Sequence, residues 1–526
     1  MTIRTLTPAL SVSPQIDPAD VAALAASGFR SIVCTRPDGE EAGQPTAAAV
    51  AAAAEAQGVR FLHIPVVSGT IDESDAAAMA RALAELPGPV LAYCRSGARS
   101  EQLAAMTAAR GEGGGIARYD ILVIGGGSAG IATAASILRR RPDVSLAIVE
   151  PSEDHYYQPG WTMVGGGVFA PEVTRRGEAG LIPAGAEWIR AAAASFDPAN
   201  DRVTLADGRV IGYRALIVCP GLKLDWEAIP GLAAALGSGG VTSNYRYDLA
   251  PYTDRLVRRF RGGRALFTQP PMPIKCAGAP QKAMYLSCHR WERAGVLGQA
   301  DVQFHNATPA LFGVAAYVPA LEAYIARYGI DLQLESRLVS IDGAAKVALF
   351  EQRRGDTVRR VEERFDMIHV VPPQVAPDFI AASPLAAPSG FVAVDETTLR
   401  HPDHANVFTL GDVAATTNAK TAAAARKQAP VVALNVLAAL DGAAPVAAYD
   451  GYGSCPLTVE AGKVILAEFG YGGKLLPTFP KWLIEGTRPS RLSWLLKAKI
   501  LPPLYWHGML RGREWLAAPA RIGEGG

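Results

Sequence analysis

The stretch YDILVIGGGSAGIATAASIL, residues 119–138, constrains what this chain can fold into more than any other. It reads as an apolar strand, a GxGxxG turn and a helix, which is the opening of a parallel α/β unit. Gly125 makes the tight turn, Gly127 lets the backbone approach a diphosphate, and Gly130 allows close helix–strand packing. Ser128 and Ala129 open the helix, whose N-terminal amides favour an anion. VSLAIVE comes next as a second strand and ends in Glu150, where a ribose-binding carboxylate belongs.

Far downstream, NVFTLGDVAATTNAKTAAAARKQAP reads as a strand ending in Gly411 and Asp412, then a helix opening at Thr421. In two-dinucleotide flavoenzymes this pattern sets an Asp on the flavin ribityl chain. It also aims a helix N-terminus at the pyrimidine end of the ring, where a positive end stabilises the anionic reduced flavin. Lys420 adds a full charge there. The two motifs together predict a tandem Rossmann-like flavoprotein with FAD as cofactor. Between them, GGRALFTQPP looks like a strand running into a loop, and no second GxGxxG comes after it. Without amides to cradle a second pyrophosphate, NAD(P)H is disfavoured and electrons must enter from something small. The loop carries MPIKCAGAPQK instead. Cys276, beside Lys275 and near the start of a predicted helix APQKAMYLSCHRW, has two features that lower a thiol pKa, so both residues are candidates for the chemistry.

Residues 1–108 alternate strand and helix signals, which predicts a separate parallel-sheet domain. VLAYCRSGARS ends a buried strand in Cys94, and residues 95–99 wrap backbone amides around its sulfur before Ser100 opens a helix. Such a nest stabilises a thiolate and any anion it holds. Cysteine phosphatases place five residues between Cys and Arg. Here four separate Cys94 from Arg99, and the smaller ring suits sulfane sulfur. Arg36 and Asp38 lie on a loop after a strand and are expected to face Cys94. The Gly-rich ARGEGGGIAR, residues 109–118, reads as a linker. The flavin part is expected over 119–480, and 481–526 as a distinct C-terminal segment.

Composition closes off several classes. The net charge of the 526 residues is +1, which gives a nucleic-acid partner no global electrostatic support. Six cysteines without regular spacing are not a disulfide framework, and no CxxC pair or zinc-spaced Cys/His cluster calls for a metal. The N-terminus lacks a signal-peptide core, and no window offers about 18 uninterrupted apolar residues. The last segment holds Trp482, Trp494, Trp506 and Trp515 and eight Lys/Arg against three Glu, the mixture of an interfacial amphipathic segment. A cytoplasmic protein, peripheral on the inner face of the membrane, is expected.

TQPPMPIKCAGAPQKAMYLS, DHYYQPGWTMVGGG, GDVAATTNAKTAAA, YGSCPLTVEAGKVILAEFGY and LLKAKILPPLYWHGMLRG resemble the sulfide:quinone oxidoreductases, in particular the mitochondrial-type branch, over residues 119–516. The resemblance implies that sulfide attacks a redox cysteine pair, that sulfane sulfur is held as a persulfide, and that FAD passes two electrons to a membrane quinone. Cys276 matches one redox cysteine. The branch places the second directly after the Gly-Asp of the flavin motif, where this chain has Val413. Cys288 is about 18 Å along a helix from Cys276, beyond the ~7 Å a disulfide spans. Cys219, at a strand end, and Cys455, read as lying in a turn, could approach only through tertiary folding. Residues 1–108 resemble small phosphatase-fold domains of rhodanese-like sequence, described as sulfurtransferases and also found fused to persulfide dioxygenases. The implied partners are sulfide, quinone, a low-molecular thiol acceptor and the membrane surface, and a homo-oligomer is compatible with the reading. Two alternatives stay open: a phosphatase-like domain joined to an FAD/NAD(P) oxidoreductase of another substrate, and, because of Val413, a flavin or persulfide sensor without turnover.

Overall fold

A computed structural model describes residues 3–7, 9–112 and 116–523. A first compact unit runs to Arg118 and takes in Thr204–Gly212, and a second comprises Tyr119–Val203 and the chain from Tyr213 onward. The first is a five-stranded sheet in the order 4–7, 10–13, 90–93, 31–34, 60–63. Its last four strands are parallel, and Arg4–Thr7 adds an antiparallel edge. Ser31–Cys34 and Val90–Tyr93 are buried along their whole length. Their side chains alternate between two cores. Val33 and Ala92 join Met79 and Leu103 on one face, while Ile32 and Leu91 join Leu24 and Val50 on the other. This is the near-continuous apolar strand of a sheet covered by helices on both sides. The covering helices Ala47–Ala56 and Glu73–Glu85 start at Thr46 and Asp72, whose side chains accept backbone N–H groups of the first turn. The Gly-rich stretch read as a linker is ordered on both flanks. The helix after Cys94 runs Ala98–Glu112, and a strand begins at Ala117. Residues 113–115 lie outside the described residues.

The second unit holds two nucleotide-type sheets. The first has the order 186–189, 146–149, 117–124, 210–218, 202–205, 193–197, with Val407–Thr409 added in parallel to Val210–Val218. The glycine turn works as its spacing predicts. Gly125 has φ +107°, and a Cβ on Gly130 would stand 1.9 Å from the Gly125 carbonyl oxygen, so only glycine lets helix Ser128–Arg140 start there. That helix packs on helix Ala422–Leu440, and the buried core between them gathers Ile131, Ile137, Val432 and Val436.

The second sheet, order 241–242, 367–369, 263–269, 300–306, 331–334, is parallel throughout. Its strand Gly263–Gln269 runs into the Pro-rich loop and then into helix Ala279–Arg293. A two-stranded hairpin, Gly453–Glu460 with Lys463–Phe469, lies against that helix.

The C-terminal stretch is helical without a gap from Arg491 to His507, as Arg491–Leu495, a π-helical turn Leu496–Ile500 and Leu501–His507. Tyr505, Trp506, Met509 and Leu510 are buried in the core of the first sheet, while Trp482, Leu492 and Leu495 are exposed. No helix among the described residues is long and apolar enough to cross a membrane.

Candidate active site

The second unit encloses a cleft of about 800 Å³. Gly125, Gly127, Ser128 and Ala129 form one end, with Glu150, Gly411, Asp412, Lys420 and Thr421 along it and Cys276 on its wall. A Cβ on Gly127 would meet nothing within 4 Å, so this backbone is open to the cleft. The N-terminus of a 13-residue helix points there, which suits a diphosphate. Thr421 caps helix Ala422–Leu440 by accepting the Ala424 N–H, which fixes a second helix N-terminus on the same cleft. The Glu150 carboxylate accepts N–H bonds from Gly126 and Ser152, both 2.8 Å, and burial pushes its pKa up. Asp412 is likewise pushed up by burial. Lys420 donates to the carbonyls of Asp412 and Ala414, so it braces the Gly-Asp loop, and burial pulls it down to about 8. These residues fit an extended dinucleotide, and Cys276 lines the same cleft.

Ser128 also belongs to a chain of side chains that the sequence does not announce. Its hydroxyl lies 2.7 Å from that of Tyr505, which lies 2.6 Å from His155 Nε2, whose Nδ1 meets Glu178 at 3.0 Å. The C-terminal segment is thereby tied to the nucleotide end of the cleft.

Around Cys276 the structure brings together residues far apart in the chain. Cys276 Sγ is 3.3 Å from Cys455 Sγ, and Lys282 Nζ donates to Cys276 Sγ at 3.0 Å. Lys497, from the π-helical turn, is buried and donates to the Pro456 carbonyl beside Cys455. A hydrogen bond from Cys455 and the charge of Lys282 hold Cys276 well below the usual thiol range, while Cys455 is held well above it by the same pairing. Burial, reinforced by Lys282, pulls Lys497 down to about 7. The pair therefore favours ionisation at Cys276 over Cys455.

Lys275, the cation expected to activate Cys276, turns elsewhere. Its Nζ donates to Gln158 at 2.7 Å, and burial lowers its pKa. Lys282, in the helix after the loop, takes that place. Cys455 lies on a strand rather than in a turn. Cys288 packs in the core of the second sheet, and Cys219 Sγ points at the Gly125 carbonyl, with both thiols raised by burial.

In the first unit, Cys94 is buried and the Gly97 N–H donates to its sulfur at 3.1 Å. Burial opposes its ionisation, but the backbone N–H groups of Ser100, Ser96 and Arg99 outweigh it and lower the pKa. Arg99 forms a two-pronged pair with Glu40, at 2.7 and 2.6 Å, and also donates to the Val66 carbonyl. Arg36 is committed to Gln15, Glu40 and Glu41, and Asp38 accepts the Ala47 N–H. Neither takes the expected place facing Cys94.

Residues 2–111 match the family described as "Beta-lactamase hydrolase-like protein, phosphatase-like domain". The Agrobacterium fabrum beta-lactamase hydrolase-like protein is 44% identical over 91 residues, 17% of this chain and 21% of that protein. The rest of the chain matches different proteins. The mitochondrial sulfide:quinone oxidoreductases of Dictyostelium discoideum and Mus musculus are each 38% identical over 396 residues, covering 75% of this chain and 86% and 87% of theirs. The chain belongs to the sulfide:quinone oxidoreductase family. The solved sulfide:quinone oxidoreductase of Aquifex aeolicus shares the fold, with a TM-score of 0.64 at 19% identity over 78% of this chain and 98% of that one. This member of the family is thus a fusion, with a phosphatase-like domain ahead of the oxidoreductase. Its residue after Gly411-Asp412 is Val413, fully buried, and the thiol beside Cys276 comes from the hairpin instead.

Proposed function

We propose that this chain oxidises sulfide to sulfane sulfur at Cys276, holds FAD in the cleft and reduces a membrane quinone. The observation that carries the reading is that a thiolate-stabilising centre and a dinucleotide cradle open into one cleft. FAD would be held by the Gly125–Gly130 turn, by Glu150, Asp412 and the two helix N-termini, and would supply two-electron transfer between thiol and quinone. The chain's own residues do the rest. Cys276 takes the sulfur, Lys282 stabilises its thiolate, and Lys497 is poised to exchange a proton near neutrality.

Sulfide as reductant is supported by the loop after strand Gly263–Gln269. It presents prolines and Cys276 where a pyridine nucleotide would need a glycine cradle. The quinone would enter past Ile500, Trp515 and Leu516, which are exposed and also line the cleft. Trp482, Leu492 and Leu495 are exposed apolar side chains of the C-terminal segment, of the kind that suits the headgroup region of a bilayer. On this reading the chain is peripheral, on the cytoplasmic face of the membrane.

Carrying Glu at positions 482, 492 and 495 (Trp482→Glu, Leu492→Glu, Leu495→Glu), the protein should stop co-sedimenting with anionic vesicles. It should keep its cofactor and its rate with a water-soluble short-chain quinone. These side chains are exposed, so the body stays folded.

Cys94 is proposed to accept or relay the sulfane sulfur, alongside a low-molecular thiol. With Arg99 tied to Glu40, the nest suits a singly charged persulfide better than a phosphate dianion. The experiment for the whole reading is sulfide plus a low-molecular thiol and a short-chain quinone under argon. Quinone should be consumed with matching persulfide formation, and mass spectrometry should find an added sulfur on Cys94. Cys94→Ser should leave quinone consumption unchanged and remove that mark. Quinone left intact by sulfide would reject the oxidoreductase reading, and an unmarked Cys94 would reject the relay.

A further inference from the structure

The family's second redox cysteine is replaced by Val413, yet the structure does not leave Cys276 without a partner. Cys455, 179 residues away in sequence, has its sulfur 3.3 Å from that of Cys276. Three features hold it there. Gly278 has no side chain, and a Cβ on it would sit 2.7 Å from Cys455 Sγ and 2.2 Å from Leu457, so any larger residue would wedge the hairpin away from the loop. Cys276 itself has φ +51°, a left-handed conformation that a side chain rarely adopts. Such strain clusters at functional sites. It is fixed by Cys276 N–H on the Lys420 carbonyl at 2.9 Å and by Ala279 N–H on the Cys276 carbonyl at 2.7 Å. Finally, Lys282 and Lys497 sit beside the pair, where a departing thiolate would need positive charge.

We propose that Cys455 is the second redox thiol of this chain, so that Cys276 and Cys455 cycle between disulfide and dithiol. The inference rests on the sulfide-oxidising reading above. Cys276 lines the cleft and Cys455 lies behind it, which fixes the order of events. Hydrosulfide attacks Cys276 Sγ. The Cys276–Cys455 bond breaks, a Cys276 persulfide forms, and Cys455 leaves as a thiolate beside Lys282. A low-molecular thiolate then attacks the outer sulfur, departs as its own persulfide and returns Cys276 as a thiolate. The two thiolates close to the disulfide by losing two electrons, which with two protons reduce one quinone. The sum is one hydrogen sulfide, one thiol and one quinone giving one persulfide and one quinol.

The test uses full-length holoprotein. After oxidation by quinone, or by diamide as an independent oxidant, free thiols are blocked with N-ethylmaleimide in denaturant and peptides are mapped without reduction. A Cys276–Cys455 linked peptide, lost on sulfide addition, is expected. Cys455 blocked as a free thiol in the fully oxidised protein would overturn the proposal. Cys455→Ser should keep its bound cofactor and lose about a hundredfold or more in sulfide-dependent quinone reduction, as removal of one member of a catalytic unit does. Wild-type turnover in that variant would also overturn the proposal while leaving the oxidoreductase reading intact. A linked pair formed by diamide in a protein that sulfide cannot reduce would support the pair and reject the reading beneath it.

Discussion

Cys276→Ser should abolish sulfide-driven quinone reduction, by on the order of 10³-fold or more, while leaving the protein yellow. Replacing the sulfur-accepting thiol by a hydroxyl removes the atom that bonds to sulfur, and losses of this class are large. The cofactor should remain because the cradle at Gly125–Gly130 and the Gly411-Asp412 loop do not depend on the thiol. The protein's backbone should also tolerate the change, since a serine fits the same left-handed loop held by Lys420 and Ala279. The check is a steady-state rate paired with the absorbance of the purified variant. Loss of colour would mean that Cys276 serves packing, and a retained rate would mean that another thiol takes the sulfur.

Gly130→Ala should have the second large effect, at the opposite end of the cleft. The added methyl would stand 1.9 Å from the Gly125 carbonyl and 3.2 Å from Cys219 Sγ. Neither neighbour can yield, because Gly125 N–H is bound to the Val149 carbonyl and Cys219 lies in the first sheet's core. Overpacking of this kind costs about 1–3 kcal/mol or more, and the displaced turn should weaken dinucleotide binding by about tenfold or more. The purified variant should be pale, with its flavin-to-protein ratio, read by absorbance after denaturation, well below that of the unaltered protein. Full flavin content would show that the turn is not the cradle.

The parts of the site that local sequence can encode were legible. The glycine turn, the Gly-Asp loop, the Cys94 nest and Cys276 each carry their signal within a few residues, because turn geometry and helix starts are set by neighbours. The parts that were not legible arrive through tertiary pairing. Cys455 sits in GSCPLTVE, where Gly453 and Pro456 look like turn residues. The segment forms a strand nonetheless, because a two-stranded hairpin has only edge positions and tolerates a proline. Lys282 falls inside a helix with no local mark of function, yet it is buried against the Cys276 sulfur. By adjacency alone Lys275 is the better candidate, and its side chain points to Gln158 instead. The C-terminal segment shows the same limit. Its composition marks it as interfacial, but only one side is exposed, and the other supplies Tyr505 and Lys497 to the cleft.

The oxidoreductase claim is tested most directly by the flavin absorbance of the purified protein under argon as reductant is added. Sulfide should bleach the visible bands in proportion to its amount, with added quinone restoring them, and NADH should leave them unchanged. Bands that fade with NADH and persist with sulfide would contradict the account.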